Sequence, residues 1–358
     1  MVIAQYHIAT TPKYNFPQPE MDSALPHQFT KLSLYSLGHA HDHLFQQNEQ
    51  VIQQASMEES FQTLRLEPEP ILLKPRHDQT VVAAIDTSTM KIAETSAGIV
   101  IAVRGANVWK QRENYRYTRI GPFIFQVTED NKREVYNTLE GAYLTSAREL
   151  GHQSAPSLLQ MPTRIANLLE RWLQAMLTKT LNNGLILFDG SLTSGTADTP
   201  TRCMKEILKD GREGGNAILA FSKMTNLRVN GSLITDLAFE QRPPYLVETI
   251  GLRLKPPMVP LGKVYVAKLS SGNCAFRLDI DAEVAHELRV EAVERLLGND
   301  LISQSYPETL RLAHILCTFT ANEVLAMQHF ITRKCGLQII NRPDMHRLLF
   351  GPFGKGES

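Results

Sequence analysis

The chain has 358 residues, 43% of them hydrophobic and 21% charged, which excludes a disordered chain and allows a sizeable core. The 37 basic and 37 acidic side chains cancel, so overall charge gives no indication of a nucleic-acid partner, although a local basic groove is still compatible with neutrality. No apolar run approaches the roughly 20 residues that span a bilayer, and no secretory signal is expected at the start. Four scattered cysteines without a CxxC pair predict reduced thiols and a cytoplasmic protein.

Residues 1–79 are interpreted as an N-terminal extension. Apolar residues at three- and four-residue steps predict a helix over about 28–55, which could serve dimerisation, partner docking or the core. Residues 67–79 contain three prolines and are interpreted as a linker. The histidine-rich run 38–43 is one residue short of the metallo-β-lactamase motif and lies within the helical pattern, so metal binding is not expected there.

Residues 80–340 follow an α/β order and are expected to form one domain, with residues 341–358 as a C-terminal tail. Buried strands are predicted first, at 81–86, 97–103 and 122–128, and a long helix follows at 164–181. The later predicted elements are a strand at 185–189, a helix from Thr199, a strand at 216–222, three more strands, and helices at 281–297 and from Pro307. The expected fold is a mixed sheet flanked by helices, with additional strands and helices towards the C-terminus.

The densest basic stretch is KQRENYRYTR, residues 110–119, between the second and third predicted strands. Cationic side chains interleaved with tyrosines suit single-stranded nucleic acid, because bases stack on the rings and phosphates pair with the cations. Arg112, Arg116 and Arg119 are therefore candidate nucleic-acid contacts. A solvated hairpin arm is the simpler interpretation of this segment taken alone.

Two segments of the chain resemble each other. Residues 82–88 read VAAIDTS and residues 185–191 read LILFDGS, and each is a short apolar strand that ends in an aspartate followed by a small residue and a serine. If the strands are parallel neighbours, Asp86 and Asp189 converge where the sheet opens to solvent. Two such carboxylates repel unless a cation lies between them, so the pair predicts a divalent metal or a raised pKa. The alternative is that each aspartate only caps the turn after its strand.

Two further segments are candidates for the same site. Glu170, on the long helix that leads into the second aspartate strand, is the preferred third carboxylate, and Glu140 and Glu149 are the competing choices. The segment SYPETLRLAH, residues 305–314, carries a tyrosine before a helix, and its arginine and histidine share one helix face. Such side chains can supply a metal ligand and phosphate contacts.

With these motifs in this order, the chain resembles the NurA family of DNA-repair nucleases, which have a ribonuclease H-like fold. The resemblance covers about residues 80–335 and depends on IDTS, the helix leading into LFDGSL, the strand end FSKMTNL, and SYPETLRLAH. It implies catalytic roles for six residues, of which the first three and the last would bind the metal: Asp86, Glu170, Asp189, Lys223, Tyr306 and His314. Arg311 is added as a candidate phosphate contact.

Two positions depart from the family pattern. The first motif has threonine where the family usually has glycine, and Ser305 stands where glycine usually precedes the tyrosine. Neither change removes a ligand, so both are expected to affect loop shape. The resemblance further implies dependence on Mn²⁺, with Mg²⁺ as the alternative, 5′–3′ exonuclease and single-strand endonuclease activity in double-strand break repair, a homodimer, and a HerA-type hexameric ATPase partner.

Two other functions are open at this point. The sequence IDTST at 85–89 is similar to the first phosphate loop of actin-like and sugar kinases, which share the core fold, but no second glycine-rich phosphate loop is evident. A catalytically inactive dimeric scaffold for an ATPase is the other alternative, and the presence of all the expected ligands argues against it.

Overall fold

The computed structural model describes residues 29–33, 35, 64–143, 156–237 and 241–340. The α-helices bounded within these ranges are α1 (Lys132–Tyr143), α2 (Met161–Thr180), α3 (Thr201–Glu213), α4 (His286–Asn299), α5 (Glu308–Cys317) and α6 (Ala321–Cys335). The main sheet consists of β1 (Arg65–Leu66), β2 (Ile71–Leu72), β3 (Val82–Glu94), β4 (Gly98–Gln111), β5 (Asn114–Thr128), β6 (Leu185–Asp189), β7 (Ala217–Ser222), β8 (Tyr245–Ile250), β9 (Gly262–Lys268) and β10 (Phe276–Asp281). Short strand pairs join Thr193–Ser194 to Val259–Pro260, Arg228–Val229 to Ser232–Leu233, and Ile302–Ser303 to Tyr306–Pro307.

The main sheet is mixed, with strand order β1-β8-β9-β10-β7-β6-β3-β4-β5 and β2 beside β8. Strands β3, β4 and β5 form an antiparallel meander, whereas β6 pairs in parallel with both β3 and β7. Three antiparallel strands followed by two parallel strands, connected through helices, are the ribonuclease H-like arrangement. The predicted α/β fold is confirmed.

Helices cover both faces of the sheet, which explains why the central strand β6, LILFD, is almost continuously apolar. On one face, α1, α2 and α3 pack against alternate strand residues such as Ala83, Ile85 and Phe188. On the other face, α4 and α5 pack against the intervening residues, including Val82, Ala84 and Leu187. The alternation of side chains along β3 and β6 places Asp86 and Asp189 on the α5 face.

Several predicted boundaries are wrong. Strand β3 does not end at Asp86 but continues to Glu94, because the residues after Asp86 pair with β4. The predicted strands at 97–103 and 122–128 are longer than expected and extend towards each other. The basic stretch 110–119 therefore forms the end of a β-hairpin, which agrees with the simpler interpretation of this segment as a hairpin arm. The last three predicted helices begin later than expected, at Thr201, His286 and Glu308.

The described part of the N-terminal extension contributes to the core. Residues 29–33 are helical, and the ring of Phe29 packs 5.0 Å from that of Phe123 on β5. The backbone N–H of Ile124 donates to Ser33 Oγ at 3.1 Å. The short strand β2 lies within the segment interpreted as a linker and pairs with β8. The rest of the predicted helix, with the histidine-rich run, and the C-terminal tail lie outside the described residues. No helix in the described ranges has the length and hydropathy to cross a membrane.

Candidate metal centre

Asp86 and Asp189 lie side by side on neighbouring parallel strands. The register of β3 and β6 aligns Ile85 with Phe188, and each aspartate is the next residue. Strands in a sheet are about 4.8 Å apart, so the two carboxylates are close neighbours on the same face. The structure therefore places the two predicted aspartates on adjacent strands and on the same face.

The sheet opens at this point because β6 ends while β3 continues. Gly190 follows Asp189 with φ 101°, a left-handed conformation that glycine adopts without steric cost, and its N–H donates to Phe221 O on β7 at 2.8 Å. Asp86 therefore has a paired strand, β4, on one side and the end of β6 on the other. This arrangement explains why the carboxylates meet at an opening although β3 does not end there.

Asp86 is buried and contacts a histidine. Its Oδ2 lies 2.7 Å from Nδ1 of His314 on α5, and its Oδ1 accepts a 2.7 Å hydrogen bond from the N–H of Thr87. Burial and the neighbouring Asp189 carboxylate raise the pKa of Asp86, against the opposing effects of His314 and Lys223. The negative charge at this position is thus incompletely compensated by the neighbouring His314 and Lys223 side chains.

Asp189 is paired with a lysine. Lys223 Nζ, just after the end of β7, lies 2.7 Å from Asp189 Oδ2 and 6.0 Å from the centre of the Tyr306 ring. Each aspartate therefore contacts one nitrogen-containing side chain. Asp86 contacts His314 on α5, and Asp189 contacts Lys223 just after β7. A cation entering between the carboxylates would compete with these two contacts.

Glu170 approaches the pair from the other face of the sheet. Helix α2 packs over β3 there, with Thr87 Oγ1 3.4 Å from the carbonyl oxygen of Ala166, one turn before Glu170. Burial raises the pKa of Glu170; the adjacent Arg171 lowers it, and the negative charges of Asp86 and Asp189 raise it further.

Glu170 is hydrogen-bonded within its own helix, to Gln174 Nε2 at 3.0 Å. Of the competing choices, Glu140 interacts instead with Tyr136 and Asp198, and Glu149 lies outside the described residues. Glu170 is therefore the one of the three candidates that is seen to be electrostatically coupled to the aspartate pair.

Tyr306 lies beside the pair with a buried hydroxyl group that has no hydrogen-bond partner among the described residues. Its ring packs at 6.1 Å from Phe221 and 5.2 Å from Phe276. Burial, and then the charges of Asp189 and Asp86, raise its pKa. A buried donor without a partner is costly, so this hydroxyl is suited to a group that is present only when the site is filled.

The serine at position 305, before Tyr306, has a structural explanation. Gln304 and Ser305 form the two-residue loop between Ile302–Ser303 and Tyr306–Pro307, with φ of 53° and 65°. Such loops favour glycine, since both residues adopt positive φ. Here the serine side chain adds anchoring, because Ser305 Oγ accepts hydrogen bonds at 3.1 Å from the N–H groups of Leu269 and Ser270.

Cys317 is a member of the site that the sequence analysis did not identify. One donor atom each from Asp86, His314 and Cys317 lies within 4.8 Å of the other two, and this is the group of three metal-ligating side chains found among the described residues. The thiol is buried and donates to the carbonyl oxygen of His314 at 3.2 Å. Its spacing of three residues from His314 places both side chains on one helix face, but this spacing alone does not indicate a ligand. All four cysteines are free.

The candidate arginines differ in their relation to the site. Arg119 on β5 is aligned with Ala106 on β4, and Ala106 is aligned with Asp86 on β3. Arg119 therefore lies on the same face of the sheet as Asp86, about 10 Å from it across two strand spacings. Arg116 is aligned with Trp109 and belongs to the opposite face, while Arg112 lies in the hairpin turn. Arg311 is paired with the buried carboxylate of Glu308, with its Nε at 2.6 Å.

The donor set fits a divalent cation. Two carboxylates are adjacent, a third is electrostatically coupled to them, and a histidine contacts one of them. The carboxylate oxygens are ligands that suit Mg²⁺ and Mn²⁺. The raised pKa of Asp86 indicates negative charge that such an ion would neutralise.

The fold and the carboxylates define a ribonuclease H-like α/β protein with a candidate metal centre. Among solved structures, the NurA nuclease from Sulfolobus solfataricus is similar over 74% of this chain and 88% of its own, with 17% identity and a TM-score of 0.46. An endonuclease V from Bacillus subtilis covers the same shares with 11% identity and a TM-score of 0.30. The Argonaute of A. aeolicus matches 70% of this chain and 29% of its own, with 12% identity and a TM-score of 0.22. No protein-family model and no curated protein sequence matches.

Proposed function

We propose that this chain is a metal-dependent DNA nuclease whose centre is the pair Asp86 and Asp189. The observation that carries the proposal is their adjacency on parallel strands, combined with a raised pKa at Asp86 that results from burial and the second carboxylate. Paired acidic side chains at the point where a central strand ends and the sheet opens are suited to metal-assisted phosphodiester hydrolysis. The family resemblance of the motifs that carry these residues supports DNA as the substrate.

In this proposal Asp86, Glu170, Asp189 and His314 would hold one or two Mn²⁺ or Mg²⁺ ions. A bound cation supplies Lewis-acid stabilisation of the charge that develops on the scissile phosphate. Because the carboxylate of Asp86 can only accept, His314 Nδ1–H donates to it, and the Nε2 lone pair of this half-exposed side chain is left for another partner. That nitrogen can ligate the ion or accept the proton of the attacking water.

Two further side chains are assigned to the phosphate. Lys223, on release from Asp189, can pair with a non-bridging phosphate oxygen. The hydroxyl group of Tyr306, which has no partner among the described residues, can donate to the same group. Arg119 lies on the same face two strands away and is assigned to the DNA backbone, with Arg311, Arg112 and Arg116 as further candidates.

Further properties of the proposed nuclease are supported by the family resemblance alone. They are a preference for Mn²⁺, 5′–3′ exonuclease and single-strand endonuclease activity in the repair of double-strand breaks, a homodimer, and a HerA-type ATPase that drives DNA into the nuclease.

The test is cleavage of end-labelled single- and double-stranded DNA with Mn²⁺ by the wild-type protein and Asp86→Ala. The expected result is cleavage by the wild type and background activity in the variant. Asp300→Asn is the matched control, because Asp300 is also a buried carboxylate with a raised pKa but bonds to Tyr115 and Thr309. Wild-type cleavage by Asp86→Ala, or none by the wild type, would overturn the proposal.

A further inference from the structure

A sulfur ligand lies against the carboxylate that the proposed nuclease would use. Cys317 and His314 are three residues apart on α5, so their side chains share the helix face that packs on β3. The donor atoms of Asp86, His314 and Cys317 lie within 4.8 Å of one another. Oxygen, nitrogen and sulfur donors thus surround one point beside the aspartate pair.

The Mg²⁺ or Mn²⁺ ions of the proposed nuclease do not require the sulfur of Cys317 as a ligand. Mg²⁺ and Mn²⁺ favour oxygen ligands, whereas thiolate is a soft ligand that favours Zn²⁺. Zinc is held by sulfur at about 2.3 Å and by histidine and carboxylate at about 2.0–2.2 Å, so tetrahedral ligand atoms are roughly 3.3–3.7 Å apart. The three donor atoms need only a small movement of side chains to reach that spacing.

We propose that Asp86, His314 and Cys317 form a second metal site that takes Zn²⁺ or another soft divalent cation. When the ion binds, the thiol proton passes to solvent and the hydrogen bond from His314 to Asp86 breaks, so that a histidine lone pair and the carboxylate can both face the ion. Water fills the fourth position. When Asp86 binds a cation at this site, it is no longer available to hold Mn²⁺ together with Asp189. Zinc is therefore an inhibitor that competes with Mn²⁺ for a shared ligand; this consequence, unlike the binding itself, rests on the proposed nuclease function.

Cobalt provides a direct probe of the sulfur ligand, since Co²⁺ substitutes for Zn²⁺ and a thiolate bond gives a near-ultraviolet charge-transfer band. The expected result is a band in the wild-type protein that added Zn²⁺ abolishes. Cys317→Ser should lack the band. Cys203→Ser is the matched control, because Cys203 is a partly buried thiol on α3 outside the cluster, and it should keep the band. No band in the wild type, or a band that survives in Cys317→Ser, would overturn the inference.

A second measurement needs no variant. X-ray absorption of the zinc-loaded wild-type protein should show one sulfur neighbour at about 2.3 Å among lighter ligands. A shell of nitrogen and oxygen alone would overturn the site. In the cleavage assay, Zn²⁺ should inhibit the Mn²⁺-dependent reaction, and excess Mn²⁺ should reverse the inhibition. Cleavage with Mn²⁺ but without a sulfur signal refutes this inference only, whereas a sulfur signal without cleavage refutes the proposed function only.

Discussion

Replacement of Asp86 by asparagine should make the metal-free protein more stable. The change keeps the shape of the side chain and an acceptor for His314, but it removes the repulsion from Asp189. Two charges about 5 Å apart at an effective dielectric constant of about 20 repel by about 3 kcal/mol. Loss of charge in the bond to His314 offsets about 1–1.5 kcal/mol of this gain. The net stabilisation is therefore about 1.5–2 kcal/mol, or a rise in Tm of a few degrees.

The same substitution should reverse its effect when Mn²⁺ is present. A ligand at 100 times its Kd stabilises a folded protein by about 2.7 kcal/mol, and Asp86→Asn should lose most of this increment. Thermal unfolding in EDTA and in Mn²⁺ measures both effects on the same samples. The control Asp300→Asn should lower Tm in EDTA and retain the increment, because Asp300 accepts hydrogen bonds from Tyr115 and Thr309. If Asp86→Asn is less stable than the wild type in EDTA, or is stabilised by Mn²⁺ as much as the wild type, Asp86 neither repels Asp189 nor binds the ion in the way proposed.

The remaining predictions concern neighbouring groups. Ser305→Ala should lower the free energy of unfolding in urea by about 1–3 kcal/mol, because two backbone N–H groups lose their acceptor; an unchanged midpoint would contradict this. Tyr306→Phe should slow DNA cleavage without loss of stability, since the hydroxyl group has no partner among the described residues, and equal rates would argue against its role. Arg119→Ala should weaken DNA binding and reduce its salt dependence by about one ion, whereas Arg116→Ala, on the other face, should change the affinity less; equal effects would contradict the assignment. Mn²⁺ affinity, measured by titration calorimetry, should fall as the pH drops through the raised pKa of Asp86, because the ion needs the carboxylate. A loss that begins only near the ordinary pKa of aspartate, about 3.9, would contradict the electrostatic account.

The sheet core was predictable because buried parallel strands carry a strong local signal. The sequence predicts the strand 185–189 with its observed bounds, whereas its parallel pairing with β3 enters the sequence analysis only as a condition that the structure shows to be met. The end of β3 was not predictable from its own residues, since whether residues 87–94 continue the strand depends on their partners in β4. The helices α1 and α6 were not delimited, as neither has a long uninterrupted apolar pattern.

Some residues of the candidate site could be predicted from local motifs, whereas others could not. Asp86, Asp189 and His314 could be identified from motifs that follow or begin regular elements. Cys317 could not, because a cysteine in a helix is ordinarily a packed hydrophobic residue, and only the fold brings its sulfur to Asp86. The contact between Lys223 and Asp189 likewise depends on the pairing of β6 with β7. Long-range contacts of this kind are properties of the sheet rather than of any segment.

Binding of a divalent metal by the carboxylates of Asp86 and Asp189 can be seen in crystals of the wild-type protein grown with Mn²⁺ and measured for manganese anomalous scattering. We expect an anomalous peak between the two carboxylates, within about 2.0–2.3 Å of an oxygen of each. A peak elsewhere in the molecule, with Lys223 and His314 still in contact with the two aspartates, would contradict it.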